Sequence, residues 1–362
     1  MRVNPGLEGV IVADTEISYI DGQSGILIYR GYEAKQLALH RSYEEVVYLL
    51  WKGRFPDSAE LDAFNQALWE NQRLTEELKQ IIKLIPPDVD MMSVIRAALS
   101  SLGDRSFGWP PSLEKAVSLL AITPAIIAAR YRHLQGKPIV EPIPNLSFAA
   151  NYLLMIHGKK PHPAHIRALE SYFTLAAEHG LNASTFTARV VASTEADLSS
   201  AIIAALGALK GPLHGGAPSE VEGMLEQIGS LEEAEKWMRE RLRQGEKLMG
   251  FGHRIYKTTD PRAEALRQVV QTGSGAEPWF QFAVEVEKIA LALLKEVKPH
   301  RQIHTNVEYY TAAILKAIQL PKLLYTPTFA VTRIAGWIAH ILEQAKNNRI
   351  IRPTSNYIGS MD

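Results

Sequence analysis

The pattern of hydrophobic and polar positions indicates a short strand region at the start of the chain and a long series of helices after it. Three runs of β-branched, aliphatic and aromatic residues occupy positions 10–12, 17–20 and 26–29, and polar residues separate them. The second and third runs are joined by the turn sequence Asp-Gly-Gln-Ser-Gly at 21–25. These runs predict a small antiparallel β region at the N-terminus.

Beyond residue 30, apolar residues recur at helical spacing. Ser42 with Glu45, and Asp57 with Glu60, have the spacing of a capping box, in which two side chains satisfy the first free amides of a helix. Two prolines at 86–87 end the next helix. The predicted fold class is therefore mainly α. Further predicted helices, each bounded by Pro, Gly or polar residues, span 91–102, 113–130, 147–157, 165–177 and 197–210.

Length and composition exclude several classes of protein. A chain of 362 residues exceeds what one hydrophobic core usually organises, so we predict two domains. No repeat and no low-complexity segment occurs, which excludes a solenoid. The chain has 39 basic and 39 acidic residues without a block of like charge, and this argues against nucleic-acid and acidic-membrane partners. The absence of cysteine excludes disulfides and thiolate chemistry.

Two segments bear on location. The most apolar stretch, 116–129, is interrupted by Ser118, Thr123 and Pro124, and it is shorter than the roughly 20 residues that a membrane-spanning helix requires. We interpret it as a buried pair of helices. The first six residues lack the apolar core of a signal peptide, so we expect no export and a cytoplasmic location.

Three histidine segments are candidates for chemistry: 178–185, 211–216 and 249–254. In each, the histidine lies among glycines or small residues rather than on a periodic helix face, and glycine lets a ligand approach the backbone. Taken singly, each also fits a helix cap or a surface loop. Their combination with the basic side chains of 257–262 favours a site for an anionic substrate.

Other chemistries are not indicated. His162 and His165 are separated by a proline, with no acidic residue or cysteine nearby, and we predict no metal site. Gly273 and Gly275 lack the third glycine of a dinucleotide-binding motif, and 211–219 lacks the Gly-Lys-Ser/Thr ending of a nucleotide-binding loop. The Gly-x-Ser-x-Gly motif of serine hydrolases does not occur.

In this order and spacing, the segments resemble the citrate synthases. Gly-Pro-Leu-His-Gly-Gly at 211–216 and Gly-Phe-Gly-His-Arg-Ile-Tyr-Lys at 250–257 carry the resemblance, and 6–32 and 326–353 extend it to nearly the whole chain. The resemblance implies a helical homodimer without nucleic-acid or membrane partners. It also implies a large domain of 1–216 and 320–362, and a small domain of 217–319 that closes over the substrates.

The resemblance also implies roles for individual residues. His214 would hydrogen-bond a thioester oxygen, Glu308 would take a proton, and His253 would protonate the ketone of oxaloacetate. The residues implied to bind the oxaloacetate carboxylates are His179, Arg262, Arg333 and, from the partner subunit, Arg352.

Coenzyme A binding is implied for one loop and two basic residues. The loop comprises Lys247, Leu248, Met249, Gly250 and Phe251, and the basic residues are Arg254 and Lys257. The acyl-CoA would be a co-substrate, and no cofactor or metal is expected to be bound permanently.

One position departs from the family pattern. The family aspartate that follows Asn-Val is replaced here by Glu308, which keeps the carboxylate and adds a methylene. Three functions stay open: a citrate synthase using acetyl-CoA, a 2-methylcitrate synthase using propionyl-CoA, and a paralogue that binds CoA or a dicarboxylate as a sensor without turnover.

Overall fold

A computed structural model of the protein describes residues 4–103, 108–215, 217–253, 255–273 and 278–361. This part of the chain forms seventeen α-helices and one three-stranded antiparallel sheet of β1 (Ser18–Asp21), β2 (Ile26–Tyr29) and β3 (Tyr32–Glu33). In register, Ser18 of β1 lies opposite Tyr29 of β2. The predicted mainly α fold with a small N-terminal antiparallel region is confirmed.

The helices follow the sheet along the chain. The first eight are α1 (Ala34–His40), α2 (Tyr43–Lys52), α3 (Ser58–Asn71), α4 (Glu76–Leu84), α5 (Met91–Ser100), α6 (Leu113–Leu134), α7 (Phe148–His157) and α8 (Pro163–Ala176). The others are α9 (Ala183–Ser193), α10 (Leu198–Leu209), α11 (Pro212–Gly215), α12 (Ala217–Ile228), α13 (Leu231–Arg243), α14 (Pro261–Gly273), α15 (Pro278–Val297), α16 (Val307–Ala317) and α17 (Tyr325–Lys346).

Both predicted capping boxes are present. Ser42 Oγ accepts the Glu45 amide at 3.2 Å, and the Glu45 carboxylate accepts the Ser42 amide at 2.8 Å. Asp57 and Glu60 make the same reciprocal pair at the start of α3. These contacts join residues three apart, so the sequence alone is enough to specify them.

Two predictions about secondary structure were wrong. The run 10–12 is not a strand: it pairs with no described strand, and Ile11 is 90% exposed. The stretch 116–129 is part of one continuous helix, α6, rather than a pair of helices. Pro124 interrupts the helical hydrogen bonds at a cost of about 3 kcal/mol. Burial of α6 against α3, α5, α7 and α17 offsets that cost.

Helix α17 lies at the centre of the core. It packs against α2, α6, α8, α9 and α10, and most of its side chains are buried. The indole of Trp51 in α2 donates to the carbonyl of Ala335 at 2.9 Å. This packing gives Arg333, on the same helix, a rigid backbone.

The described part of the chain contains no helix with both the length and the apolar character needed to cross a bilayer. Across the same residues, no group of three or more His, Asp or Glu side chains is arranged to hold a metal ion.

Candidate active site

His253 lies in the loop between α13 and α14 and is fixed through one ring nitrogen. Its Nδ1 accepts the amides of Ile255 at 2.9 Å and Tyr256 at 3.0 Å. Burial and the neighbouring Arg262 lower the pKa of His253 to about 4, so the ring is neutral at pH 7. Because Nδ1 is the acceptor, the proton of this neutral ring is on Nε2. Nε2 is therefore a hydrogen-bond donor.

Arg262 is the second donor at this position. Its Nη2 lies 3.2 Å from His253 Nε2, so the guanidinium lies directly against that edge of the ring. The Asp260 carboxylate fixes the guanidinium: Oδ1 accepts Arg262 Nε at 3.0 Å and Oδ2 accepts Nη2 at 2.9 Å. Asp260 and Arg262 are 1% and 5% exposed. This buried pair holds a cation ready for an anionic group.

His179 follows α8 and meets the same cluster. Its Nε2 lies 3.1 Å from the hydroxyl of Tyr256, and its ring centroid lies 6.2 Å from that of His253. Burial lowers the pKa of His179 well below its usual value, and the charges of Arg262 and Arg333 lower it further. His179 is therefore also neutral at pH 7.

Arg333 carries a guanidinium without a full set of partners. The residue is 5% exposed, and its Nε and Nη1 have no hydrogen-bond partner among the described residues. The guanidinium carbon lies 4.9 Å from the ring centroid of Phe329. A buried cation with free donors is costly unless an anion binds it, so Arg333 is a strong candidate for carboxylate recognition.

His214 is in the short helix α11. Its Nε2 lies 2.8 Å from Ser184 Oγ, and the Trp337 indole donates to the same hydroxyl oxygen at 3.2 Å. Burial, and secondarily the charge of Arg333, lower the pKa of His214 to about 4. The ring is neutral at pH 7, and its Nδ1 has no partner among the described residues.

Glu308 is the second residue of α16. The Asn306 side chain caps this helix and accepts the Glu308 amide at 3.0 Å. Burial raises the pKa of the Glu308 carboxyl above its usual value, Arg262 opposes that shift, and Asp260 adds to it. A carboxylate whose basicity is increased in this way suits proton abstraction.

Backbone contacts bring the His253 loop and the start of α16 together. The Gly252 amide donates to the His304 carbonyl at 2.7 Å, and the Asn306 amide donates to the Gly250 carbonyl at 2.9 Å. The Asn306 side chain also donates to the Gly252 carbonyl at 2.9 Å. These bonds place the loop before His253 directly beside the N-terminal turn that carries Glu308.

A cavity of about 680 Å³ opens beside this cluster. Its lining includes Lys247 to Phe251, the loop for which the resemblance implies coenzyme A binding, together with His253 and Lys257. Lys298 and Arg301 also line it, although the sequence did not single them out. The predicted residue Arg254 lies outside the described residues. A cavity of this size with a basic lining fits a ligand that carries phosphates.

Arg352 does not join the cluster within its own chain. It is exposed and lines a separate cavity, between the N-terminal segment and the end of α17. The amide of the preceding Ile351 donates to Ser193 Oγ at 2.9 Å, which anchors this part of the tail. A role for Arg352 in oxaloacetate binding therefore requires a second subunit.

Sequence reasoning missed two residues of this site. Tyr256 contacts His179, and Asp260 orients Arg262, yet neither was assigned a role. Both lie in the motif that carries His253 and Arg262, and an acidic residue two positions before a substrate-binding arginine is the signal that was available.

The fold and the cluster define a mainly helical protein with a buried cationic site for an anionic ligand beside a basic cavity. The model of the family described as citrate synthase, C-terminal domain, matches residues 6–354, and the chain belongs to the citrate synthase family.

Individual relatives agree with this assignment. The chain is 38% identical to the citrate synthase of Haloferax volcanii, covering 99% of this chain and 96% of that one. It is 37% identical to a 2-methylcitrate synthase of Mycobacterium tuberculosis, covering 99% of this chain and 91% of that one. A solved ternary complex of carboxymethyl coenzyme A and oxaloacetate with citrate synthase from Thermoplasma acidophilum superposes with a TM-score of 0.88 at 31% identity, covering 100% of this chain and 97% of that one.

Proposed function

We propose that this protein condenses acetyl-CoA with oxaloacetate and hydrolyses the resulting citryl-CoA to citrate and CoA. The observation that carries the proposal is the meeting of two buried arginines, three neutral histidines and Glu308 beside one basic cavity. The relative from Thermoplasma acidophilum, whose complex contains oxaloacetate and a coenzyme A derivative, supports the choice of substrates.

The acceptor would bind first to the arginines. Arg262 and Arg333 would each pair with an oxaloacetate carboxylate, and His179 would hydrogen-bond the same molecule. The Nε2–H of His253 would then donate to the ketone oxygen. This polarises the carbonyl carbon towards attack.

The donor would be activated by Glu308 and His214. Glu308 would take a proton from the carbon next to the thioester carbonyl, and the Nδ1–H of His214 would stabilise the oxygen of the enolate. For Nδ1 to carry that proton, the Ser184 hydroxyl must donate to His214 Nε2, 2.8 Å away, rather than to Asn182 Oδ1, which also lies 2.8 Å away. The enolate carbon would form the new bond while His253 gives its Nε2 proton to the ketone oxygen, and the proton taken by Glu308 would then return to His253. Water would then cleave the thioester and release CoA.

The second candidate function is that of a 2-methylcitrate synthase, which uses propionyl-CoA in place of acetyl-CoA. The 2-methylcitrate synthase relative is nearly as similar as the citrate synthases, so identity does not separate acetyl-CoA from propionyl-CoA. One methylene is worth only about 1–3 kcal/mol of discrimination in a pocket. Steady-state rates with both thioesters at equal oxaloacetate decide between them.

We also propose a cytoplasmic homodimer in which Arg352 completes the partner's site and the 217–319 domain closes over the substrates. No CoA or other cofactor would stay bound between turnovers.

Release of free thiol tests the proposed activity. Enzyme mixed with acetyl-CoA and oxaloacetate should release thiol at a rate that needs both substrates, whereas a sensor paralogue would release none. Arg333→Leu should abolish release, and Arg239→Leu, which removes a half-buried arginine of α13, should not. Thiol release that does not depend on oxaloacetate would contradict the condensation.

A further inference from the structure

The turn between β1 and β2 contacts the backbone of the loop that carries His253. The carbonyl of Gly22 accepts the Lys257 amide at 2.8 Å. A Cβ added at Gly22 would lie 2.3 Å from the carbonyl oxygen of Ile255. At Gly25, where φ is +68°, a Cβ would lie 2.8 Å from the Thr259 carbonyl oxygen. Two main chains therefore approach each other so closely that only glycine fits.

The same sheet also contacts the segment that carries His179. The Tyr29 hydroxyl of β2 lies within hydrogen-bond distance of two carbonyls there, 3.0 Å from Leu175 and 2.6 Å from Glu178. Ser18 of β1 donates to the Glu178 carboxylate at 2.9 Å. The sheet thus touches the His179 segment and the His253 loop, but not the His214 segment.

We infer that the β1–β2 hairpin is a positioning element of the active site, and that its turn is the docking site of the 255–259 segment. The hairpin holds the His179 segment with its strands and the His253 loop with its turn. Because Ile255 and Tyr256 donate the amides that fix His253, the position of the loop backbone sets the direction of the His253 Nε2 proton. Arg262 follows the docked segment by three residues and is set by the same contact.

This inference rests on the proposed function, and it adds a location for domain closure. The hairpin belongs to the predicted large domain, whereas the docked segment belongs to the predicted small domain. The turn is then the point of the large domain that receives the moving loop when the acceptor binds. Gly22 and Gly25 are positioning residues, since they contact the loop and not the reacting atoms.

Gly22→Ala tests this docking site. Because Gly22 lacks a positive φ, the added methyl group acts through the close contact alone. We expect kcat/KM for oxaloacetate to fall about a hundredfold, the loss typical of a misplacement on the order of 1 Å. Deuterium uptake at the Lys257 amide should accelerate, because that amide loses its acceptor.

Two glycine variants are matched controls. Gly31→Ala introduces strain at φ +88° on the same sheet without any atom within 4 Å, and Gly223→Ala makes an ordinary contact at 3.6 Å. Both should keep the kinetics and the Lys257 exchange of the wild type. Asp21→Ala covers the case in which Gly22→Ala fails to fold. It removes the carboxylate that accepts the turn amides of Gln23 and Ser24 without adding an atom to the contact, and Asp21→Asn retains an acceptor.

The outcomes separate this inference from the proposed function. Wild-type enzyme that fails to condense the substrates would overturn the proposed function, while hydrogen exchange at the Lys257 amide would still report on the docking site. If the wild type is active and Gly22→Ala has the same kinetics and the same Lys257 exchange, the docking inference alone would be overturned. A loss in Gly31→Ala as large as that in Gly22→Ala would also overturn it, since strain in the sheet would then explain the effect.

Discussion

The Asp260 carboxylate accepts the backbone amide of Val307 at 3.1 Å with the same oxygen that pairs with Arg262. Val307 is the first residue of α16 and precedes Glu308. One buried carboxylate therefore joins the guanidinium proposed to bind oxaloacetate to the helix that carries the proposed base.

Asp260→Asn should weaken both the pairing with Arg262 and the contact with the Val307 amide. The variant leaves Arg262 buried without a counter-charge, and breaking a buried pair in this way costs about 3–5 kcal/mol. We expect kcat/KM for oxaloacetate to fall at least a hundredfold and kcat to fall as well, measured by thiol release. Glu296→Gln, which breaks an exposed pair with Arg239, is the control and should leave the rates unchanged. A normal kcat in Asp260→Asn would show that Val307 does not need this contact.

Glu308 should be essential for proton abstraction. Glu308→Gln keeps the size of the side chain but removes the base, so kcat should fall by several orders of magnitude while oxaloacetate binding, measured by calorimetry, stays nearly unchanged. Glu308→Asp restores the residue usual in the family. It should lower kcat if the backbone near Asn306 compensates for the longer side chain, and raise kcat if it does not. Near-normal turnover in Glu308→Gln would refute the assignment.

The loss of kcat/KM at acidic pH should reflect protonation of Glu308 rather than of a histidine. The pKa values of His214 and His253 are lowered to about 4, so both rings are already neutral on the acid side of pH 7. Burial raises the pKa of Glu308, and the base must be deprotonated to act. We therefore expect kcat/KM for acetyl-CoA to rise with pH through a single ionisation above the ordinary value of 4.5. Rates at subsaturating acetyl-CoA measure it, and a limb below pH 4.5 would contradict the raised pKa.

The sequence predicted features that depend on neighbours along the chain and missed those that depend on distant contacts. The capping boxes at Ser42 and Asp57 were predicted correctly because each involves residues three apart. The helix predicted over 113–130 is present as α6, but the interpretation of 116–129 as two helices was wrong, because burial by other helices outweighs the local preference at Pro124.

The same distinction applies to the active site. The histidine and arginine segments were recognisable from glycine-rich surroundings and from family motifs, and the structure brings all of them except Arg352 and the undescribed Arg254 to one region. The roles of Tyr256 and Asp260 arise from contacts with His179 and Val307, which are 77 and 47 residues away. The spacing of Asp260 and Arg262 could have indicated their pairing, but it carries no information about these two contacts between distant residues.

Glu44 should make the protein less stable as pH rises. This buried carboxyl accepts the Phe148 amide at 2.7 Å, and burial raises its pKa to about 7. The folded state therefore binds the proton more tightly than the unfolded state. The stabilisation is fully present below about pH 4.5 and is lost as pH rises through about 7, a change of about 3 kcal/mol.

Glu44→Gln should remove this pH dependence, because the amide stays neutral while its oxygen still accepts the Phe148 amide. Urea unfolding at pH 5 and pH 8 measures the effect as the change in the free-energy difference between variant and wild type. The exposed Glu220→Gln is the control and should follow the wild type at both values. A variant that loses as much stability as the wild type on going to pH 8 would refute the role of Glu44.

Arg352 should act across the subunit interface, since within one chain it lines a cavity apart from His253. Arg352→Ala and His214→Ala homodimers should both be inactive. In a heterodimer of the two, the chain with an intact His214 receives an intact Arg352 from its partner, so one site is complete. Random mixing should then restore about a quarter of the wild-type activity per subunit, as expected when half of the dimers carry one working site of two.

The matched control pairs His214→Ala with Arg333→Ala, because Arg333 lies on α17 with its side chain buried in its own chain. In that heterodimer each site lacks one essential residue, so mixing should restore nothing. Recovery with Arg352→Ala but not with Arg333→Ala would assign Arg352 to the neighbouring site. Failure of both mixtures, with heterodimers shown to form by differential tagging, would mean that Arg352 serves its own chain or none.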